Sequence, residues 1–231
     1  MDINETNELI KTTLLTKAAV KQDVYARTKE HFGQLKLILK ELTDHFVKEV
    51  SSKDHRLEIS YLDKGSFEAQ IFFASDALLF TMHTNVFQFD LDNPLWKTQY
   101  LRDDETRGYC GIINVYNFLA DSFRYNRTND LGYLIARIFI NKENHFMVQG
   151  KRQLGFLYND FINSTLDKEK LTAVAQSILL YAIDFDLFTP PYDAVKEVSL
   201  GELQALSDNI KIKTGKRLGF KFQADSDDIL I

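Results

Sequence analysis

The chain is poor in the residues that cross-link or punctuate a fold. Among 231 residues it has one cysteine, three prolines, one tryptophan and three methionines. With Cys110 alone, an intrachain disulfide and a cysteine-built zinc cluster are both excluded. No uninterrupted apolar run reaches the roughly 18 residues that span a bilayer, so no membrane partner is expected. Charge of one sign is scarce as well. Lys and Arg number 28 against 33 Asp and Glu, a formal net charge of −5, which argues against a surface built throughout for nucleic acid. The first residues, MDINETNELI, are polar and acidic, unlike the basic and then apolar start of a secretion signal. A cytoplasmic location is the expectation, and the Asn-x-Ser/Thr triplets at Asn4, Asn126 and Asn163 then carry no glycosylation meaning.

Motifs for cofactors are missing too. GKR at 215–217 lacks both the opening glycine and the hydroxyl residue of a phosphate-cradling loop, and no G-x-G-x-x-G follows a strand. None of His31, His45, His55, His83 and His145 has a partner at helical metal-site spacing. No cofactor, no metal and no catalytic motif are expected. What the chain does have is phenylalanine, 18 residues of it. Large flat side chains suit a sheet face packed on helices, and they equally line apolar pockets.

Periodicity organises the rest. Residues 5–51 contain no proline, and Tyr25, Phe32, Leu39 and Phe46 recur every seven residues, with Leu35 and Leu42 three after the middle pair. One long helix, or two nearly collinear ones, is predicted. Its second half should be buried, and its first half, where Lys11, Lys21 and Thr28 interrupt the stripe, should project or find another partner. From residue 56 the period becomes two. RLEISYL, the alternation from Phe67 to Phe73, and Leu78-Phe80-Met82 against Leu79-Thr81-His83 predict strands, with a hairpin closing at Ser75-Asp76. A polar connection over 91–108 precedes YCGIINVYNFL, YLIARIFI and HFMVQG, read as a meander. Ser164 or Thr165 should cap a helix to about 186, covered on most sides and stopped by TPPYD. Ser199 and Glu202 form a capping box for a short last helix. The expected fold is α+β, an antiparallel sheet of five or more strands packed on helices, with the long N-terminal helix over 1–52 and the α+β domain over 53–231.

Candidate residues follow from the faces. In IFFASDALLFTMHTNVFQFD, Asp76 should sit at the turn and His83 on the more polar side of a strand, which separates them. Cys110 reads as a small core hydrophobe, since no local feature lowers its pKa. By alternation Cys110, Asn114 and Tyr116 share a face, a polar row that lines a cavity or faces water. Arg137 interrupts an apolar strand and should share a face with Tyr133, Ile135 and Phe139; Arg124 and Arg127 lie in the polar loop before it. Arginines among aromatics grip a carboxylate or phosphate bidentately, or else pair with Asp121 and Asp130 on a solvated face. His83, Asn114, Tyr116, Arg124 and Arg137 are therefore the candidate ligand-binding set. At the C-terminus, NIKIKTGKRLGFKF reads as a hairpin with Lys211, Lys213, Arg217 and Lys221 on one face and Lys216 beside the turn. That ribbon either protects an edge strand or binds an acidic partner or polyanion, masked by the tail residues Asp225, Asp227 and Asp228.

Two classes of function remain. The first is a non-enzymatic interaction or regulatory module that binds a small ligand and forms a homo-oligomer through its N-terminal helix. The alternative is a small-molecule hydrolase or transferase with a site assembled from dispersed residues. A filled sheet–helix core favours the first; a cavity where two or more of Cys110, His83, Tyr116 and Arg137 converge favours the second.

Overall fold

A computed structural model describes residues 3–185, 189 and 191–204. The chain opens with a continuous helix: α1 (Ile3–Thr13), a π-helical segment (Leu14–Ala18), α2 (Ala19–Phe46) and a second π-helical segment (Val47–Ser51). The antiparallel sheet comprises β1 (Ile59–Asp63), β2 (Glu68–Phe73), β3 (Asp76–Met82), β4 (Phe87–Gln88), β5 (Tyr109–Leu119), β6 (Tyr133–Asn141) and β7 (Phe146–Gly150). Its order is β1-β2-β3-β5-β6-β7, and β4 pairs with β5 beyond the end of β3. Between β4 and β5 the expected loop is instead a string of turns, including the helix α3 (Gln99–Asp103). Short helices α4 (Ala120–Arg124) and α5 (Gln153–Leu157), the longer α6 (Lys168–Ile183) and α7 (Tyr192–Val195) follow, and residues 200–204 are helical.

Helices α2 and α6 cover one face of the sheet. Phe32, Leu35, Ile38 and Leu39 from α2 meet Leu78, Phe80, Ile113, Val115 and Ile138 from the strands and Leu171, Val174 and Ile178 from α6. This core is filled by the residues whose spacing predicted it. The first part of the long helix behaves differently. No residue of α1 or the π-helical segment after it is buried, and Leu9, Ile10, Leu14 and Leu15 stand exposed. A π turn adds a residue to the helical repeat, so the apolar stripe of α2 cannot run on in phase through Leu14–Ala18.

Three expectations need correction. Thr28, counted as a break in the stripe, is fully buried, its hydroxyl satisfied by donating to the Val24 carbonyl at 2.8 Å. The cap of α6 is Asp167, whose carboxylate accepts from the Lys170 N–H at 2.8 Å, because it stands one residue before the first helical turn. That helix ends at Ile183, well before Pro190, and it is covered on one side only, leaving Leu180 and Ile183 exposed. The Ser199–Glu202 capping box forms as expected: Ser199 N–H donates to the Glu202 carboxylate at 2.7 Å, and Glu202 N–H donates to the Ser199 hydroxyl at 3.1 Å.

The β2–β3 hairpin shows a local conflict. Phe73 pairs with Asp76, so Ala74 and Ser75 form a two-residue turn, with Ala74 at φ +47°. An L-residue there carries about 1–2 kcal/mol of steric strain that glycine lacks, less about 0.5–1 kcal/mol for the greater freedom of unfolded glycine. Ala74→Gly should thus stabilise the protein by about 0.5–1 kcal/mol. Urea unfolding midpoints check this, and a destabilised variant would show that the turn is not strained.

Candidate functional site

The face of the sheet away from α2 and α6 is only half covered. At one end Phe89, Leu101, Cys110, Ile112, Phe139 and Phe161 close into a second, smaller core. Beside it the face opens into a cleft of about 690 Å³. Its floor is a polar row set by strand register. Asn114 of β5 lies opposite Arg137 of β6, and Arg137 opposite Gln149 of β7. Tyr116 and Leu134 continue the lining on one side, and His83, Phe87, Phe89 and Asp90 form the wall where β3 gives way to β4.

Of the five candidate ligand-binding residues, His83, Asn114, Tyr116 and Arg137 line this one cleft. Arg124 does not. It sits on α4 and is ion-paired with Glu58 at 2.8 Å and Asp121 at 3.4 Å. Gln149 and Asn159 were not singled out from sequence, yet both line the cleft. Gln149 was within reach of sequence reasoning, because folding HFMVQG back on YLIARIFI about its turn sets it opposite Arg137.

The face of Arg137 departs from simple alternation. Tyr133 and Ile135 pack with the helix-covered core, whereas Leu134, Arg137 and Phe139 line the cleft. The cause is a register shift between Val115 and Tyr116, where Val115 opposes Ala136 but Tyr116 opposes Leu134. One extra residue on β6 flips every side chain beyond it. Without that bulge the guanidinium would point into the main core.

Hydrogen bonding in the cleft is incomplete. Arg137 Nε donates to Gln149 Oε1 at 3.0 Å, and Arg137 Nη2 donates to the same oxygen. Among the described residues, neither the Asn114 amide nor the Tyr116 hydroxyl has a protein hydrogen-bond partner. The His83 ring accepts the Asn85 N–H at Nδ1, at 3.0 Å, and packs edge-on to Phe87. A nitrogen that accepts carries a lone pair, so the neutral ring keeps its proton on Nε2. Asp76 begins β3 and His83 follows its end, which places them roughly 20 Å apart by strand rise and excludes a shared role. Cys110 is buried in the small core, and burial pushes its thiol pKa up, away from thiolate chemistry.

A second polar cluster, absent from the sequence reading, braces the 91–108 connection. Tyr100 OH donates to Glu143 at 2.8 Å, Arg107 Nε donates to Glu143 at 3.0 Å, and Asn141 Nδ2 donates to Tyr100 OH at 3.0 Å. Lys142 Nζ donates to both Asp104 and the Thr106 hydroxyl. Each group satisfies another, which is the mark of a structural brace. Burial alone would raise the Asp104 pKa, but bonds from Lys142, the Thr106 hydroxyl and the Thr106 N–H outweigh it and hold the carboxyl at about 2. Burial likewise opposes the ionised form of Glu143, yet Tyr100 and Arg107 hold it below the ordinary range.

A depressed folded-state pKa contributes stability above the unfolded value, and that stability is lost as pH falls through the folded one. Asp104→Asn should therefore cost about 1 kcal/mol near neutral pH, allowing for its partial exposure, and the difference from wild type should vanish as pH falls from about 4 towards 2. Chemical unfolding across that range is the check. A pH-independent difference would mean that Asp104 acts only as a backbone cap.

Among the described residues no group of three or more His, Cys, Asp or Glu side chains is placed to hold a metal ion, and no helix is long and apolar enough to cross a membrane. Lys211, Lys213, Lys216, Arg217 and Lys221, and with them the expected basic hairpin, lie outside the described residues. Comparison with protein-family models, with curated proteins and with solved structures finds no match to this chain.

Proposed function

We propose that the protein is a non-enzymatic interaction module that holds a small organic ligand in the open-face cleft and self-associates through the first part of its long helix. The cleft carries this reading. Its volume falls in the range of small-molecule sites, its walls are aromatic, and its floor presents polar groups without partners among the described residues. Such groups at a concave surface hold water that a ligand of matching polarity displaces. The test is native mass spectrometry of the gently purified protein, for retained small molecules. Asn114→Phe, which fills the floor, should abolish a retained mass; a mass that survives this substitution lies elsewhere.

Self-association is supported by Leu9, Ile10, Leu14 and Leu15, all more than half exposed on one helix and without cover from the described residues. Pairing two copies would bury them at about 25 cal/mol per Å². Light scattering should find the full chain larger than a monomer and a chain lacking residues 1–18 monomeric. This truncation spares Val24, which belongs to the folded interior. A monomer in both cases removes this half of the proposal.

The second reading, a hydrolase or transferase, is favoured by one observation: three of the four residues named for it, His83, Tyr116 and Arg137, line one cleft. The fourth, Cys110, is sealed in the neighbouring core. The His83 Nδ1 is taken up by a backbone N–H and not by an orienting carboxylate, so the arrangement lacks a base–nucleophile pair. Binding without turnover is the better match to these groups. Chemical change of a retained ligand over time, lost in His83→Ala, would reverse that order.

A further inference from the structure

Resting on the cleft as a ligand site, we infer that its ligand is a monocarboxylate on a flat apolar body, gripped end-on by Arg137. A guanidinium offers five N–H donors in one plane. Gln149 Oε1 takes those of Nε and one of Nη2, which uses a single edge of the group. The end edge, one N–H from each terminal nitrogen, has no acceptor among the described residues. Phe139 supports the face, its ring centroid 5.6 Å from the guanidinium carbon. An amide and a ring therefore orient the group without neutralising it. Arg56, Arg107 and Arg124, by contrast, each pair with a carboxylate of the protein. The two parallel donors left free match the two oxygens of a carboxylate.

Charge and shape narrow the ligand further. Arg137 is the only Lys or Arg among the described residues that line the cleft, and Asp90 lines it too. A phosphate monoester carries about −1.5 to −2 at neutral pH and would face a single guanidinium beside a carboxylate. With Arg137 and Asp90 both counted, a monoanion leaves one uncompensated negative charge, a smaller excess than the phosphate's. The Asn114 amide, the Asn159 amide and the Tyr116 hydroxyl add only neutral hydrogen bonds, while Phe87, Phe89 and Met147 offer apolar surface to the body of the ligand.

The experiment titrates the full chain with four probes on one ring system: naphthylacetate, naphthylacetamide, naphthylmethylamine and naphthyl phosphate. Binding is followed by amide chemical shifts, with Asn114 and Gln149 as reporters of the cleft. The acid should bind at least about tenfold more tightly than the amide, and the phosphate no more tightly than the acid. Arg137→Gln should remove the preference for acid over amide, weakening the acid far more than the amide. Should that variant misfold, Arg137→Lys, which keeps the charge and loses the fork, and Gln149→Leu, which releases it, should each reduce the preference several-fold. Acid and amide binding alike in the wild type, a tighter phosphate, or an acid preference that survives loss of the guanidinium would each overturn the carboxylate inference while leaving the cleft a binding site. If no probe shifts a cleft residue, the cleft reading falls with it.

Discussion

Gly111→Ala should destabilise the protein by about 3 kcal/mol, at the upper end of what one added methyl costs in a packed interior. Helix α2 crosses β5 at this residue. A Cβ built on Gly111 would lie 2.7 Å from the Thr28 Cβ and 2.8 Å from its Cγ2, and nearer still to its Oγ1. None of these atoms is the free end of a flexible chain. The Thr28 rotamer is held by its bond to the Val24 carbonyl, and its Cβ moves only with the helix. Relief requires α2 to lift from the sheet, which loosens Phe32 and Leu35 from the core beside it. Thr28→Ala in the same chain removes two of the three clashes and leaves the Cβ–Cβ contact, so the double variant should recover only part of the loss. Urea unfolding of the two single variants and the double variant measures this. A loss below about 1 kcal/mol for Gly111→Ala would mean that α2 yields freely and that its contact with β5 is loose.

Phe32→Ala should cost about 4 kcal/mol, and Leu15→Ala no more than about 0.5 kcal/mol at concentrations where the chain is monomeric, although both change a large apolar residue on the same continuous helix. Phe32 is 1% exposed and fills the space between sheet and α6, so truncation leaves a cavity that rigid neighbours cannot close. Leu15 is 69% exposed and leaves none. Equilibrium unfolding at several protein concentrations separates the possibilities. A cost for Leu15→Ala that grows with concentration would report pairing of copies through this surface, because association stabilises by mass action. Equal, concentration-independent costs would contradict the division of the helix into a packed and an unpacked part.

The candidate site was legible in part, and the reasons differ by residue. Asn114 and Tyr116 were placed on one face because β5 alternates regularly past both of them against β3. His83 was placed on the polar side of its strand for the same reason. Arg137 was noticed as a charge in an apolar run but assigned neighbours it does not have, since a bulge leaves no mark in composition or period. Arg124 was grouped with it by nearness in sequence, whereas its partner Glu58 is distant in the chain. The brace around Tyr100, Asn141 and Glu143 leaves no mark in the sequence, because its members join two segments, 41 and 43 residues apart, that only the folded sheet brings together.

By itself the sequence determined the main elements and most of their buried faces. A period of seven in the second half of the helix and of two in the strands is a local property, enforced by backbone geometry at each residue. It was enough to specify an α+β fold with an antiparallel sheet and a long N-terminal helix. The tertiary structure alone decided where Thr28 goes, since a residue that breaks an apolar stripe becomes the best fit where a helix must approach a glycine closely. It alone decided which face Arg137 takes, because register is a property of paired strands and one inserted residue reverses it. And among the described residues it left one face of the sheet half open, where polar groups with no partner among those residues meet at a cleft. Local periodicity says which side of each element is apolar; only packing says what, if anything, covers the other side.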